Sequence, residues 1–156
     1  VICIAVLKYL DQFLINDTCS GGIIAFELAG ETAGSYLNSW GEKGKIAVSL
    51  GLGIDFLFPI AYSLFMAILI HKLNVLLWSK RPFFIVGNVL IWVIFLAGIF
   101  DYIENIGLIN LVLGNMDQFW VSVAFYFATI KFFIILVVFS YILINFSLFL
   151  IKKWTK

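Results

Sequence analysis

The 156-residue chain is too apolar to fold as a water-soluble domain. Hydrophobic residues make up 63% of it and charged residues 12%, and its mean hydropathy is +1.10. A soluble domain carries roughly 25% charged residues, which cover the surface that faces water. The net charge of +1 excludes the strongly basic surface on which nucleic-acid binding depends. Length and composition therefore predict a single integral membrane domain, built from helices.

The first apolar run covers residues 1–15 and begins without Met, already within hydrophobic sequence. We interpret it as a membrane span that lacks its first turn or two. Residues 21–41 are polar and rich in glycine, with apolar residues at helical spacing and Glu27 on another face. This pattern predicts an amphipathic segment that lies in the membrane interface. The glycines leave open the alternative of separate short turns, capped by Thr32 or Ser35.

Three further apolar runs are long enough to cross a bilayer, which takes about 20 helical residues. They predict spans at residues 46–70, 84–108 and 119–151. The last run exceeds one crossing, so its helix must tilt or project beyond the bilayer. With the first run, they predict an all-α, four-transmembrane-helix bundle with an interfacial segment between helices 1 and 2.

The basic residues predict the orientation of this bundle. Six of them occur between the second and third spans and at the C-terminus: Lys72, Lys80, Arg81, Lys152, Lys153 and Lys156. Four spans place these two regions on the same side of the membrane. Because cationic loops remain in the cytoplasm, we expect both the N-terminus and the C-terminus to be cytoplasmic.

Every predicted span carries an ionisable side chain in its outer half. These side chains are Asp11, Asp55, Asp101, Glu104 and Lys131. An ionised group at the bilayer centre costs about 2.5–3.5 kcal/mol, so such groups face the bundle interior and find partners there. Their common depth predicts one polar site near the outer side of the bundle.

The spacing of polar residues indicates which helix faces line that site. Asp101, Glu104 and Asn105 lie three and four residues apart and share one face of the third span. Asp55 shares a face of the second span with Tyr62, and the proline between them is expected to bend that helix beside the carboxylate. The candidate ligand-binding residues are Asp55, Tyr62, Asp101, Glu104, Asn105 and Lys131.

Three short motifs resemble those of a group of small, uncharacterised bacterial four-span membrane proteins. Residues 41–45 (GEKGK), 55–62 (DFLFPIAY) and 101–105 (DYIEN) match the patterns G-x-x-G-[RK], D-x-x-[FL]-P-x-x-Y and D-[LY]-[LI]-E-N. The match covers about residues 30–110. The resemblance implies a four-span protein of the bacterial inner membrane and conveys no activity.

A weaker resemblance is to the emopamil-binding, sterol-isomerase-like fold. It rests on the four-span layout, the long segment after the first span, and an acid followed by Phe-Pro in the second span. Members of that fold use intramembrane carboxylates to hold a cationic amine or to move a proton on a sterol. The resemblance implies Asp55 as the carboxylate, with Asp101 or Glu104 as its partner. The different acid-to-proline spacing and the lack of His in the third span do not support sterol chemistry.

Two main hypotheses of function follow. In the first, an outward-facing acidic pocket binds a lipid-like or cationic ligand, because three or four carboxylates face Lys131 as the one basic residue. Whether such a protein is an enzyme stays open; if it is, we expect proton transfer by Asp55 or Glu104.

In the second hypothesis the chain is an accessory subunit of a larger membrane complex, with the acids fixing helix packing. Lys131 then pairs with Asp55 or Asp101, while Asp11 and Glu104 reach interfacial water. An ion or proton transporter ranks third, because the inner half lacks matching acids. Membrane lipids and membrane proteins are the expected partners, and no cofactor or metal is predicted from a chain with one histidine.

Overall fold

The computed structural model describes residues 2–154, with side chains from residue 4 onward. The regular secondary structure of this part of the chain is entirely helical. Its helices are α1 (Ile2–Asp11), α2 (Gly22–Glu27), α3 (Ala33–Ser39), α4 (Glu42–Asp55), α5 (Phe58–Trp78), α6 (Phe84–Val112) and α7 (Gln118–Trp154), with a 3-10 turn (Gly30–Thr32) before α3. The first residue of the predicted span 1–15 lies outside the described residues.

Among the described helices, α5, α6 and α7 are long and apolar enough to cross a membrane. They form the centre of the bundle, in which α6 packs against both neighbours and residues 113–117 join it to α7. Large apolar side chains such as Trp92 and Phe133 cover the outside of these helices. That surface has the composition of a membrane-inserted bundle.

The boundaries of the last two predicted spans agree closely with the structure. Helix α6 begins at residue 84, as predicted, and runs one turn beyond residue 108; α7 contains all of residues 119–151. The apolar runs therefore located both helices, and only their ends differ.

The predicted span 46–70 is divided into two helices. Helix α4 ends at Asp55 and α5 begins at Phe58, with Pro59 in its first turn. Proline has no amide hydrogen to donate to the carbonyl four residues earlier, so it fits the start of a helix and interrupts a helix interior. The sequence predicted a bend at this point, whereas the structure has a full break.

The connection between α1 and α4 is likewise divided, into α2, the 3-10 turn and α3, rather than forming one helix over residues 21–41. Gly22 and Gly30 adopt left-handed backbone angles (φ +59° and +53°), which side chains with a Cβ atom rarely adopt. Asp11, at the end of α1, accepts a 2.6 Å hydrogen bond from the amide of Ile23 and so holds the start of α2.

The two predicted capping residues of this connection have other positions. Thr32 immediately precedes α3, but its hydroxyl donates backward to the carbonyl of Ala29 and does not cap the helix. Ser35 lies within α3. The separate turns therefore form at the left-handed glycines, without side-chain caps at these two residues.

Two apolar cores fill the bundle, and a polar layer lies between them. The first core joins the α1–α4 connection to one end of α6 and α7, and includes Phe26, Trp40, Val48, Leu108 and Val121. The second core joins the other ends of α5, α6 and α7, and includes Ile70, Leu73, Ile94, Val138 and Ile142. Along α6, the buried polar residues 101, 104 and 105 fall between the two cores. The candidate site therefore lies in this layer.

Trp40 fixes the α1–α4 connection in the first core. Its Nε1 donates a 2.8 Å hydrogen bond to the carbonyl of Leu14, and its ring packs edge-on against Phe26 at 5.0 Å. A Trp40→Phe variant keeps a ring but leaves a buried carbonyl without this donor, so we expect a loss of about 1–3 kcal/mol in unfolding free energy.

Thermal unfolding in a mild detergent checks this prediction, and Trp92→Phe is the matched control. Trp92 is 76% exposed on α6, whereas Trp40 is 3% exposed. The control should leave the melting temperature unchanged. Equal shifts in the two variants would show that the Trp40 hydrogen bond does not hold the connection.

Candidate functional site

The centre of the polar layer is a buried lysine that contacts three carboxylates. The Nζ atom of Lys131 lies 2.7 Å from Glu104 Oε2, 2.9 Å from Asp101 Oδ1 and 3.3 Å from Glu27 Oε2. Lys131 is 4% exposed, and an ammonium group has three N–H donors, so the three carboxylates can use all of them. We call these four residues the acidic cluster.

Close packing of α6 against α7 brings the side chains of the acidic cluster into contact. Asp101 and Glu104 are one turn apart on α6 and face α7, which carries Lys131. A Cβ atom added at Gly107 would lie only 3.1 Å from the backbone nitrogen of Ala124. Small residues at this crossing bring the two backbones together, as in other membrane helix pairs.

Glu27 joins the cluster from outside the three long helices. It is the last residue of α2, and the preceding Phe26 is buried in the first core against Trp40. Burial raises the pKa of the Glu27 carboxyl to about 6; the ammonium of Lys131 opposes this shift, and the negative charges of Asp55 and Asp101 add to it. The Glu27 carboxyl therefore titrates closer to neutral pH than an ordinary glutamate does.

The cluster has more acceptors than donors. Three carboxylates surround one ammonium, and in the described structure Glu104 Oε1 is fully buried without a hydrogen-bond partner. The side-chain oxygens of Asn105 and Tyr62 are also buried and make no hydrogen bond of acceptable geometry among the described residues. A buried unpaired polar group is costly in an apolar environment, so the site favours an additional proton, cation or hydrogen-bond donor.

Asp55 and Asn105 form a second pair beside the cluster. The side-chain amide of Asn105 donates a 3.0 Å hydrogen bond to Asp55 Oδ2. Asp55 is partly exposed at the end of α4, next to the stacked rings of Phe56 and Tyr102, whose centroids are 5.8 Å apart. Its carboxylate is thus paired with a neutral amide and is not among the groups that contact Lys131.

An apolar crevice of about 270 Å³ lies between α5 and α6. Pro59 and Ser63 line it from α5, and Gly98 and Tyr102 line it from α6.

Five of the six predicted site residues form two contacting groups in the structure. Asp101, Glu104 and Lys131 are in direct contact, and Asp55 and Asn105 form the neighbouring pair. Tyr62 lies on α5, and its hydroxyl faces Asp101 without forming a well-aligned hydrogen bond.

The structural alternative drawn from the sequence holds only in part. Lys131 does pair with Asp101, as that alternative expected. Glu104, however, is 0% exposed and does not reach water as that alternative predicted. Asp11 is partly exposed and accepts a hydrogen bond from the amide of Ile23. Asp55 does not pair with Lys131.

Sequence reasoning missed Glu27 as a member of the site. The amphipathic pattern placed it on the polar face of an interfacial helix, whereas the break after α2 turns it toward Lys131. The glycine-rich sequence around it was the available signal, because it favours several short turns over one helix.

Among the described residues, no group of three or more His, Cys, Asp and Glu side chains is arranged to hold a metal ion. Comparisons with protein-family models, curated proteins and solved structures yield no match to this chain.

Removing the ammonium should destabilise the bundle strongly. A Lys131→Met variant keeps most of the side-chain length but leaves the buried carboxylates without their cation, which costs about 3–5 kcal/mol for a broken buried ion pair. Thermal unfolding in detergent measures the loss, and Lys45→Met, at an exposed position of α4, is the control.

A second variant tests whether charge is the cause. Adding Glu104→Gln to Lys131→Met removes one uncompensated carboxylate and should recover part of the lost stability. No recovery in the double variant would show that Lys131 acts through packing rather than through its charge.

Proposed function

We propose that this chain is a small membrane protein that binds a lipid-like or cationic ligand at the acidic site between α4, α5 and α6. The observation that supports this most directly is the excess of carboxylates. Asp55, Asp101, Glu104 and Glu27 lie in one layer with Lys131 as the ammonium that three of them share. A positively charged ligand would balance the remaining negative charge.

Asp55 is the residue at which such a ligand would enter. Its carboxylate is partly exposed, whereas Asp101 and Glu104 are buried and already contact Lys131. A neutral amide occupies only one of its oxygens, so the other can accept a charge-assisted hydrogen bond. In this proposal Asp55 binds the positive group and Asn105 orients the carboxylate.

The crevice between α5 and α6 supports a ligand with a hydrocarbon part. Its walls are mainly apolar and include Pro59, four residues after Asp55 in the sequence. An ammonium at Asp55 and an alkyl chain in the crevice would each meet a matching environment.

The membrane arrangement belongs to the same proposal. We infer four crossings, with α1 and the broken pair α4–α5 forming the first two and α6 and α7 the last two. Both termini would be cytoplasmic, and the α2–α3 connection would lie in the outer interface above the acidic cluster. The motifs at residues 41–45, 55–62 and 101–105 favour membership of the small bacterial four-span group in the inner membrane.

An Asp55→Asn variant tests ligand binding. It retains an oxygen acceptor for Asn105 but loses the negative charge, so binding of dodecylamine should weaken about tenfold or more, since charge-assisted hydrogen bonds contribute about 1.5–3 kcal/mol. Native mass spectrometry of the detergent-purified protein measures the bound amine, with uncharged dodecanol as the matched probe.

The control variant is Asp17→Asn, which removes an exposed acid from the connection after α1. It should bind dodecylamine as the unmodified chain does. Equal binding of dodecylamine and dodecanol, or unchanged binding in Asp55→Asn, would rule out a cation site at Asp55.

A second candidate function is that of an accessory subunit in a larger membrane complex. It is favoured by the burial of the cluster, because Lys131 already forms ion pairs with three carboxylates and Glu104 is fully buried. Such a cluster would fix the register of α6 and α7 without binding a ligand.

Native purification in mild detergent, with mass spectrometry of everything that accompanies the chain, separates the two functions. Stoichiometric partner proteins support the accessory role. A protein that travels alone or as an oligomer of itself, with a bound lipid or amine, supports the ligand site.

A further inference from the structure

We propose that Glu27 is a proton-binding residue, whose carboxylate takes up and releases a proton while Asp101 and Glu104 keep Lys131 in place. This proposal concerns a different residue from the ligand site at Asp55 and does not depend on it. The reaction is the conversion of a carboxylate and a proton into a neutral carboxyl group.

The geometry distinguishes Glu27 from the other two carboxylates. Its contact with Lys131 is the longest of the three, at 3.3 Å against 2.9 Å for Asp101 and 2.7 Å for Glu104. It is also the only one of the three carried by a short helix outside α5, α6 and α7. Glu27 is therefore the member that can lose its negative charge with the least effect on Lys131.

The charges around Glu27 favour a neutral carboxyl there. It faces Lys131 on α7, Asp101 and Glu104 on α6, and Asp55 on α4. A desolvated carboxylate beside three other acids is unfavourable, and one neighbouring ammonium cannot balance all of them. One proton on Glu27 still leaves Lys131 with two carboxylate partners.

An unpartnered oxygen within the cluster points to the same proton. Both side-chain oxygens of Glu104 are completely buried and make no hydrogen bond of acceptable geometry among the described residues, although Oε2 lies 2.7 Å from Lys131 Nζ. Glu27 and Glu104 contact the same Nζ atom, so the two carboxyl groups are neighbours. A protonated Glu27 would bring an O–H donor, of the kind that Glu104 Oε1 lacks, into the cluster.

Glu27 changes its charge at a pH close to neutral. Because burial raises the pKa of its carboxyl to about 6, the group is neutral below that pH and ionised above it. Phe26 and Trp40 hold α2 in the first core by packing that contains no charge. The proton can therefore bind and leave while α2 stays in position.

Infrared difference spectroscopy of the protein in lipid vesicles tests the proposal through the carbonyl stretch of protonated carboxyl groups. Between about pH 5 and pH 7 the unmodified chain should show one such band, with a midpoint near pH 6. Glu27→Gln should lack it. Glu31→Gln, which removes an exposed acid from the same connection, should retain it.

Two further measurements keep the result interpretable. Incorporation of ¹³C-carboxyl glutamate into the unmodified chain should shift the band, and an unshifted band would assign the proton to an aspartate and overturn the proposal without any variant. A band that persists in Glu27→Gln but disappears in Glu104→Gln would assign the proton to Glu104 instead. If no carboxyl band titrates in this pH range, Glu27 is not a proton site.

Discussion

The structure depends on one buried ammonium group and the carboxylates that surround it. Lys131 has contacts of 2.7–3.3 Å to acids from α2 and α6, so a single positive charge connects the α1–α4 connection with two of the three long helices. Each ionised group is unfavourable alone in an apolar interior. Together they are tolerated, which makes the position of each helix depend on the others.

The charged layer lies between two apolar cores, which pack the helices on either side of it. The first core packs α2, α3 and α4 on one end of α6 and α7, and the second packs α5 on the other end. Apolar packing alone would allow helices to slide, because lipid is as apolar as the side chains themselves. The contacts of the polar layer, unlike apolar packing, depend on the register of the helices, and several of its acceptor atoms have no hydrogen-bond partner among the described residues.

The sequence predicted the parts of the site that depend on helix periodicity. The shared face of Asp101, Glu104 and Asn105 follows from their spacing alone, and the long apolar runs located α6 and α7. The position of Glu27 could not be predicted in this way, because it depends on how several short turns pack across a long-range core. The pairing of Asp55 with the amide of Asn105 could not be predicted either, because helix spacing does not indicate which of several acids contacts Lys131.

The short connection between α6 and α7 has a consequence for biogenesis. Asp101 and Lys131 are 30 residues apart, on helices joined by residues 113–117. A nascent chain that ends before α7 contains the two acids of α6 but lacks Lys131, the cation that they contact. Entry of α6 and α7 as one helical hairpin removes that interval, because the opposite charges can pair before either helix faces lipid on all sides. The two helices would then insert as a unit, and the ion pair would lower the cost of placing these charges in the bilayer before the rest of the bundle has packed.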